Sequence, residues 1–234
     1  MRQHRVIGLI GGMSWESTAL YYRLINDAMR DALGGHHNAR SVLYTVDFAE
    51  VYDLGSAGRW NDVADILVAA ASAVRCAGAD FLLLTANTAH AVADKVAAAI
   101  DMPLLHIADA TAAAIKARGF DRVGLIGTRF TLEGGFYDGR LKERHGIAVD
   151  LPGAEAREAL QRIIVDELTL GETRPASKET CLGIVSDLAR GGAQGVVVGC
   201  TELPLLIGQD DIDVPLFDTT RLHAEAAVRL SLTP

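Results

Sequence analysis

Short, unbroken apolar runs alternate along the chain with longer stretches in which apolar residues return every three or four positions. The runs VIGLI (6–10), FLLLT (81–85), VGLIG (123–127) and VVVGC (196–200) are bounded by glycine or polar residues. Runs of that length, apolar on both faces, predict strands of a parallel sheet covered on each side. SVLYTVDF (41–48) predicts a fifth strand, and PLLHI (103–107) and PLFD (215–218) two weaker ones. Between them, Ala-rich amphipathic stretches predict helices over Trp15–Leu33, Asn61–Ala77, Asp109–Ala117, Glu155–Leu168 and Ser177–Arg190. Strands that alternate with helices imply βαβ units and place the chain in the α/β class.

The order of these pieces recurs. RVIGLIGG (5–12) resembles RVGLIGT (122–128), with Gly8 matched to Gly124 at an offset of 116. GADFLLLTANT (78–88) matches GAQGVVVGCTE (192–202) at 114, and DMPLLHI (101–107) matches DVPLFDT (213–219) at 112. Three matches in one order at nearly one spacing predict two similar α/β lobes that arose by duplication. The expected division is 1–105 with 212–234 for the first lobe and 106–211 for the second, the last helix (Arg221–Leu230) returning to the first.

Composition narrows the class. The chain has 234 residues, half of them hydrophobic, and a net charge of −8. An acidic chain lacks the basic footprint of sequence-independent nucleic-acid binding. Its three cysteines, Cys76, Cys181 and Cys200, are widely spaced without a CxxC pair. That suggests neither a disulfide framework nor a metal site, and it fits a reducing, cytoplasmic setting. The N-terminal apolar run is too short for a signal segment, and no run reaches the length of a membrane span.

In open α/β sheets ligands bind beyond the carboxyl ends of the strands. Two pseudo-equivalent lobes are therefore expected to face a common cleft with two matching loops, Thr85-Ala86-Asn87-Thr88 and Gly199-Cys200-Thr201-Glu202. The repeat makes Cys200 the counterpart of Ala86, Thr201 of Asn87 and Glu202 of Thr88. A thiol there, at the start of a helix, is expected to be drawn towards thiolate by the helix N-terminus. Cys76 and Cys181 lie inside helical patterns and read as packing residues. The loop after the first strand, with Met13 and Ser14, and the loop with Thr128 and Thr131 offer hydroxyls and backbone N–H groups suited to a carboxylate, or simply to helix capping. Neither loop is a P-loop or a GxGxxG dinucleotide fingerprint. Arg129 reads equally as a ligand-pairing cation or a surface one, and His90 as a group tuning the site or a helix cap.

IGLIGGMSWEST (7–18), YYRLIN (21–26), NTAH (87–90), GLIGTRFT (124–131) and GCTELPLL (199–206) together resemble the aspartate/glutamate racemase family, in particular its bacterial broad-specificity or aspartate/glutamate-specific branch. The resemblance runs from Val6 to about Val228. It implies two pseudo-symmetric lobes with the active site between them, a small amino-acid substrate, a homodimer, and no cofactor, neither pyridoxal phosphate nor metal. It also implies two acid/base residues flanking the α-carbon. Carried over, the second is Cys200 and the first is the residue before Asn87-Thr88, which is Ala86. Alanine has no proton to exchange, and strand alternation turns the neighbouring Thr85 the other way. Thr85, Asn87, Thr88, Thr201 and Glu202, with Met13, Ser14, Thr128 and Thr131, are the candidate substrate contacts. Three readings follow: a racemase that has lost its first acid/base, a one-thiol decarboxylase or isomerase of the same superfamily, and, in another class, a small-molecule binding module. The substrate side chain is left open, because DELTLGETR (166–174) is mostly acidic and Gly55 and Ser56 stand where longer polar residues are expected.

Overall fold

The computed structural model describes residues 4–233. Two compact units divide the chain, one of residues up to Ile107 together with those from His223 on, the other Ala108–Leu222. Among the described residues no helix is long and apolar enough to cross a membrane.

The first unit runs β1 (Ile7–Gly11), α1 (Trp15–Leu33), β2 (Ser41–Thr45), α2 (Phe48–Ser56), α3 (Trp60–Cys76), β3 (Phe81–Leu84), a 3-10 turn over Thr88–Val92 and α4 (Ala93–Ala99). The crossing helix α5 (Ile107–Ala117) leads into the second unit: β4 (Arg122–Gly127), α6 (Arg129–Glu133), α7 (Phe136–His145), β5 (Ala148–Asp150), α8 (Ala154–Asp166), α9 (Pro175–Arg190), β6 (Val196–Gly199) and β7 (Leu216–Asp218). The final helix α10 (Thr219–Leu232) brings the chain back. The sheets are wholly parallel, with strand orders β2-β1-β3 and β5-β4-β6-β7.

Strand alternation sorts the first unit's core into two faces. Ile7, Leu9, Phe81 and Leu83 pack on α1 and on Ala224, Ala227 and Val228 of α10. Ile10, Leu82 and Leu84 pack on α3 and α4 through residues such as Leu67, Val74 and Val96. Each buried face is the apolar side of a helix, as a parallel sheet requires.

The repeat is reproduced in the hydrogen-bond register. Gly8 pairs with Leu82, which bridges to Leu104; Gly124 pairs with Val196, which pairs with Leu216. These rows match residue for residue at the offsets 116, 114 and 112 found in the sequence. Their flanking bonds match too: Asp80 and Gln194 N–H donate to Val6 and Arg122 C=O at 2.9 Å each. The two glycines share one task. A Cβ on Gly8 would lie 2.5 Å from Val74 Cγ1, and one on Gly124 would lie 2.9 Å from Leu188 Cδ1. Val74 and Leu188 are themselves related by the 114 offset, so the same helix presses on the same glycine in both units.

Some expectations change. The strand expected over 41–48 stops at Thr45, because the Asp47 carboxylate accepts from Ala49 N–H at 3.1 Å and starts α2. PLLHI makes only the single bridge at Leu104, while its counterpart forms β7. Because β7 pairs with β6, the chain returns at 222–223 rather than near 212. β5, too short to show a period, was invisible in the sequence.

Gly8→Ala is expected to destabilise the chain by about 1–3 kcal/mol through overpacking against Val74 and the Phe81 carbonyl. Denaturant unfolding measures this; an unchanged midpoint would contradict the close-approach role.

Candidate functional site

The candidate residues lie where the strands of each sheet end. Gly12 follows β1 with φ +96°, and a Cβ there would sit 2.2 Å from Val46 C=O, so the turn out of β1 requires glycine. Ser14 caps α1, its Oγ accepting from Ser17 N–H at 3.2 Å. Met13 packs against the α3-side core. The sequence reading missed Thr18, which joins this loop to the next: its hydroxyl accepts from Gly12 N–H at 2.9 Å and donates to Ser14 C=O at 2.8 Å. Ser17 Oγ donates to Thr85 C=O at 2.9 Å.

Beyond β3, alternation separates Thr85 from Ala86. Thr85 is fully buried; its hydroxyl donates to Ile10 C=O at 3.2 Å and lies 3.2 Å from Thr18 Oγ1. Its hydroxyl is thus used inside the first unit. Ala86 turns to the opposite face and presents only a methyl group among Leu84, Ala89 and Val92. Asn87 and Thr88 open the 3-10 turn that follows.

His90 holds this loop. Its Nε2 accepts from Ile107 N–H at 3.2 Å, so Nδ1 carries the proton and donates to Ala86 C=O at 2.9 Å. Burial holds the His90 pKa well below its ordinary value, and His106 and His223 beside it add to the shift. A neutral imidazole with both nitrogens engaged by backbone is a structural brace, tying the loop of Ala86 to the residue where α5 begins.

In the second unit Cys200 follows β6 and is 6 % exposed. Its thiol donates to Glu202 Oε2 at 2.9 Å, and Thr201 Oγ1 donates to the same oxygen at 2.8 Å. Burial, then the Glu202 charge and its hydrogen bond, push the thiol well above its ordinary pKa. The backbone N–H groups of Glu202 and Leu203 oppose this and do not prevail. The expectation of a thiol drawn towards thiolate is thus reversed. Only a one-turn 3-10 segment, Leu203–Leu205, follows the loop, so little helix dipole is available, and the nearest full charge is negative. Glu202, a candidate substrate contact, engages Cys200 and Thr201 through Oε2.

Thr128 and Thr131 lie 3.2 Å apart through their hydroxyls, with Thr131 buried. Arg129 is a surface cation: its backbone N–H donates to Gln161 Oε1 at 2.8 Å and its guanidinium reaches Glu158 at 3.4 Å. Cys181 is buried in α9, as expected of a packing residue, whereas Cys76 is exposed at the end of α3.

Two measurements check these electrostatics. Replacing Glu202 with Gln removes a negative neighbour, so the Cys200 thiol should titrate at lower pH in a 240 nm thiolate titration referenced to Cys200→Ser. An unmoved or raised titration would refute the Glu202 coupling. Because the buried form of His90 resists protonation, the unfolded chain binds more protons below its ordinary pKa of about 6.5. His90 therefore contributes full stability above that pH and loses it as the pH falls. Thermal unfolding of His90→Gln should show a shallower loss on acidification than wild type, and equal slopes would exclude the effect.

Against known proteins, the sequence matches the Asp/Glu/Hydantoin racemase family over residues 10–227. A crystal structure from Yersinia pestis that carries the Asp/Glu racemase name is 48% identical, with 98% of this chain and 100% of that chain covered and a TM-score of 0.95. An aspartate racemase homologue from Pyrococcus horikoshii OT3 is 34% identical, covering 98% and 100%, with a TM-score of 0.88. The Picrophilus torridus aspartate racemase, 23% identical over 97% and 94%, shares the fold with a TM-score of 0.75. The two repeated parallel-sheet units and the match across nearly the whole chain place this protein in the Asp/Glu/hydantoin racemase family of isomerases.

Proposed function

We propose that the protein acts, without a cofactor, at the α-carbon of an amino acid such as aspartate or glutamate, with Cys200 as its acid/base. The observation that carries this reading is the register equivalence of Cys200 and Ala86. Cys200 directly follows β6 and Ala86 is the second residue beyond β3, and the same offset of 114 that relates Leu82, paired with Gly8 of β1, to Val196, paired with Gly124 of β4, relates Ala86 to Cys200. One position holds a proton-bearing thiol beside a carboxylate; the other holds a methyl group.

The α-proton of an amino acid is weakly acidic, so the carbanion that forms must be stabilised by donors aimed at the substrate carboxylate. Asn87, Thr88, Thr128, Thr131 and Thr201, with the backbone of the Met13-Ser14 loop, are the groups to which we assign that task. Cys200 in its thiol form is ready to give a proton. To take one, it must first pass its own to Glu202, leaving a thiolate beside a neutral carboxylic acid. The α-proton then moves to sulfur and can return to the same face. Such a cycle exchanges the α-proton with retention; inversion needs a second group on the other face, and neither the Ala86 methyl nor the internally bonded Thr85 hydroxyl supplies one. The same arrangement supports a second reading, a decarboxylase, in which loss of carbon dioxide creates the carbanion and one thiol protonates it. The family further leads us to assign the protein to the cytoplasm and to a homodimeric state.

Ala86→Thr and Ala86→Cys decide the matter. With a panel of amino acids in D2O, the wild-type chain is expected to incorporate deuterium at the α-carbon faster than it racemises. Restoring an acid/base at position 86 should raise racemisation, followed by chiral chromatography, by roughly 10²–10⁴-fold. Equal exchange and racemisation in the wild type would refute the one-sided cycle. Absence of both reactions in all three proteins would refute amino-acid chemistry.

A further inference from the structure

Thr18, buried in the first turn of α1, takes no part in the proton chemistry, yet its hydroxyl is fully used. Oγ1 accepts from Gly12 N–H at 2.9 Å and donates to Ser14 C=O at 2.8 Å. The Thr85 hydroxyl lies 3.2 Å from both Ile10 C=O and Thr18 Oγ1, and its proton is shared between them. A hydroxyl has one proton and two lone pairs, so Thr18 has no capacity left for a substrate atom. Its methyl group is equally well placed. A Cβ on Gly11 would lie 2.3 Å from Thr18 Cγ2, so that methyl fills the room glycine leaves at the end of β1.

These bonds grip two loops at once. Gly12 N–H and Ser14 C=O bracket the Met13–Ser14 turn, fixing the peptide groups before and after it. Between them, the N–H groups of Met13 and Ser14 bond to no acceptor among the described residues. The neighbouring Ser17 donates from Oγ to Thr85 C=O at 2.9 Å, fixing the peptide that joins Thr85 to Ala86. The second unit puts a threonine in the same place and uses it differently. Gly127 and Gly199 are the counterparts of Gly11 and Thr85 at the offsets 116 and 114. A Cβ on Gly127 would lie 3.5 Å from Thr131 Cβ, and one on Gly199 would lie 3.0 Å from Thr131 Cγ2. The Thr131 hydroxyl pairs with Thr128, within its own loop. The bridge between two strand-end loops belongs to the unit that holds Ala86.

We propose that Thr18 is a positioning residue of the reaction: it holds the Met13–Ser14 turn and the peptide before Ala86 in one arrangement, in which the Met13 and Ser14 N–H groups receive the substrate carboxylate. The inference rests on the reading above, in which the backbone of that turn stabilises the carbanion. Donors help most when they are fixed before the charge develops, because they then need no reorganisation as it grows. A turn released from Thr18 keeps its N–H groups but loses their fixed aim, and a small misplacement of such groups is costly to the reaction.

Thr18→Val keeps the shape of the side chain and removes its hydroxyl. Thr18→Ala set against Thr18→Ser makes the same removal without the methyl group, and this pair stands if the valine variant fails to fold. The measurement is α-proton exchange of amino acids in D2O, with rates divided by the folded protein seen in circular dichroism. The kcat should be roughly 10–10²-fold lower in Thr18→Val than in wild type, and in Thr18→Ala than in Thr18→Ser. KM should change less, because the donors serve a charge that is fullest in the transition state. An undiminished kcat in the hydroxyl-free variants would overturn the positioning role alone. So would a rise confined to KM, or a fall in rate that vanishes once folded protein is counted. A wild-type chain that exchanges the α-proton of no amino acid would overturn the reading beneath it, and this role with it.

Discussion

A parallel sheet must be buried on both faces, and here that depends on how closely one helix can approach the central strand of each unit. Gly8 and Gly124 supply the room. Val74 of α3 and Leu188 of α9 fill it, and no side chain larger than hydrogen fits beneath them. The strands then align in the rows through Leu82 and Val196, and those rows set where each strand ends. The loops that carry Ala86 and Cys200 inherit their places from this contact.

Strand ends impose an alternation that chemistry must obey. Thr85 faces α1 and is consumed by Ile10 and Thr18, so its hydroxyl braces the fold. Ala86 faces the other way. His90 takes the Ala86 carbonyl and the Ile107 N–H on its two nitrogens, and burial keeps it neutral, which suits a ring that must donate from one nitrogen and accept at the other. Around Ala86 the first unit spends its polar groups on holding the backbone rather than on titrating.

The second unit treats the equivalent loop differently. Glu202 beside Cys200 accepts the thiol's hydrogen bond and helps to raise its pKa. A low-pKa thiolate would be a ready nucleophile; a protonated thiol next to a carboxylate is better suited to proton delivery. That contrast between two loops of common descent is the chemical asymmetry of the molecule.

Much of this was legible in the sequence, because apolar runs, glycine positions and repeat offsets are local or periodic signals. The four main strands, the long helices, the duplication and the pairing of Cys200 with Ala86 follow from them. Strand alternation even separated Thr85 from Ala86. What depended on the tertiary structure were the quantities set by neighbours distant in sequence or by side-chain rotamers. The sequence could not show that Thr18 reaches Thr85 across 67 positions, or that His90 bridges to Ile107. Nor could it show that the Glu202 side chain folds back on Cys200, reversing the thiol's expected shift. Residue types and their order follow from pattern; which way a polar group points, and therefore its charge, is decided by what packs around it.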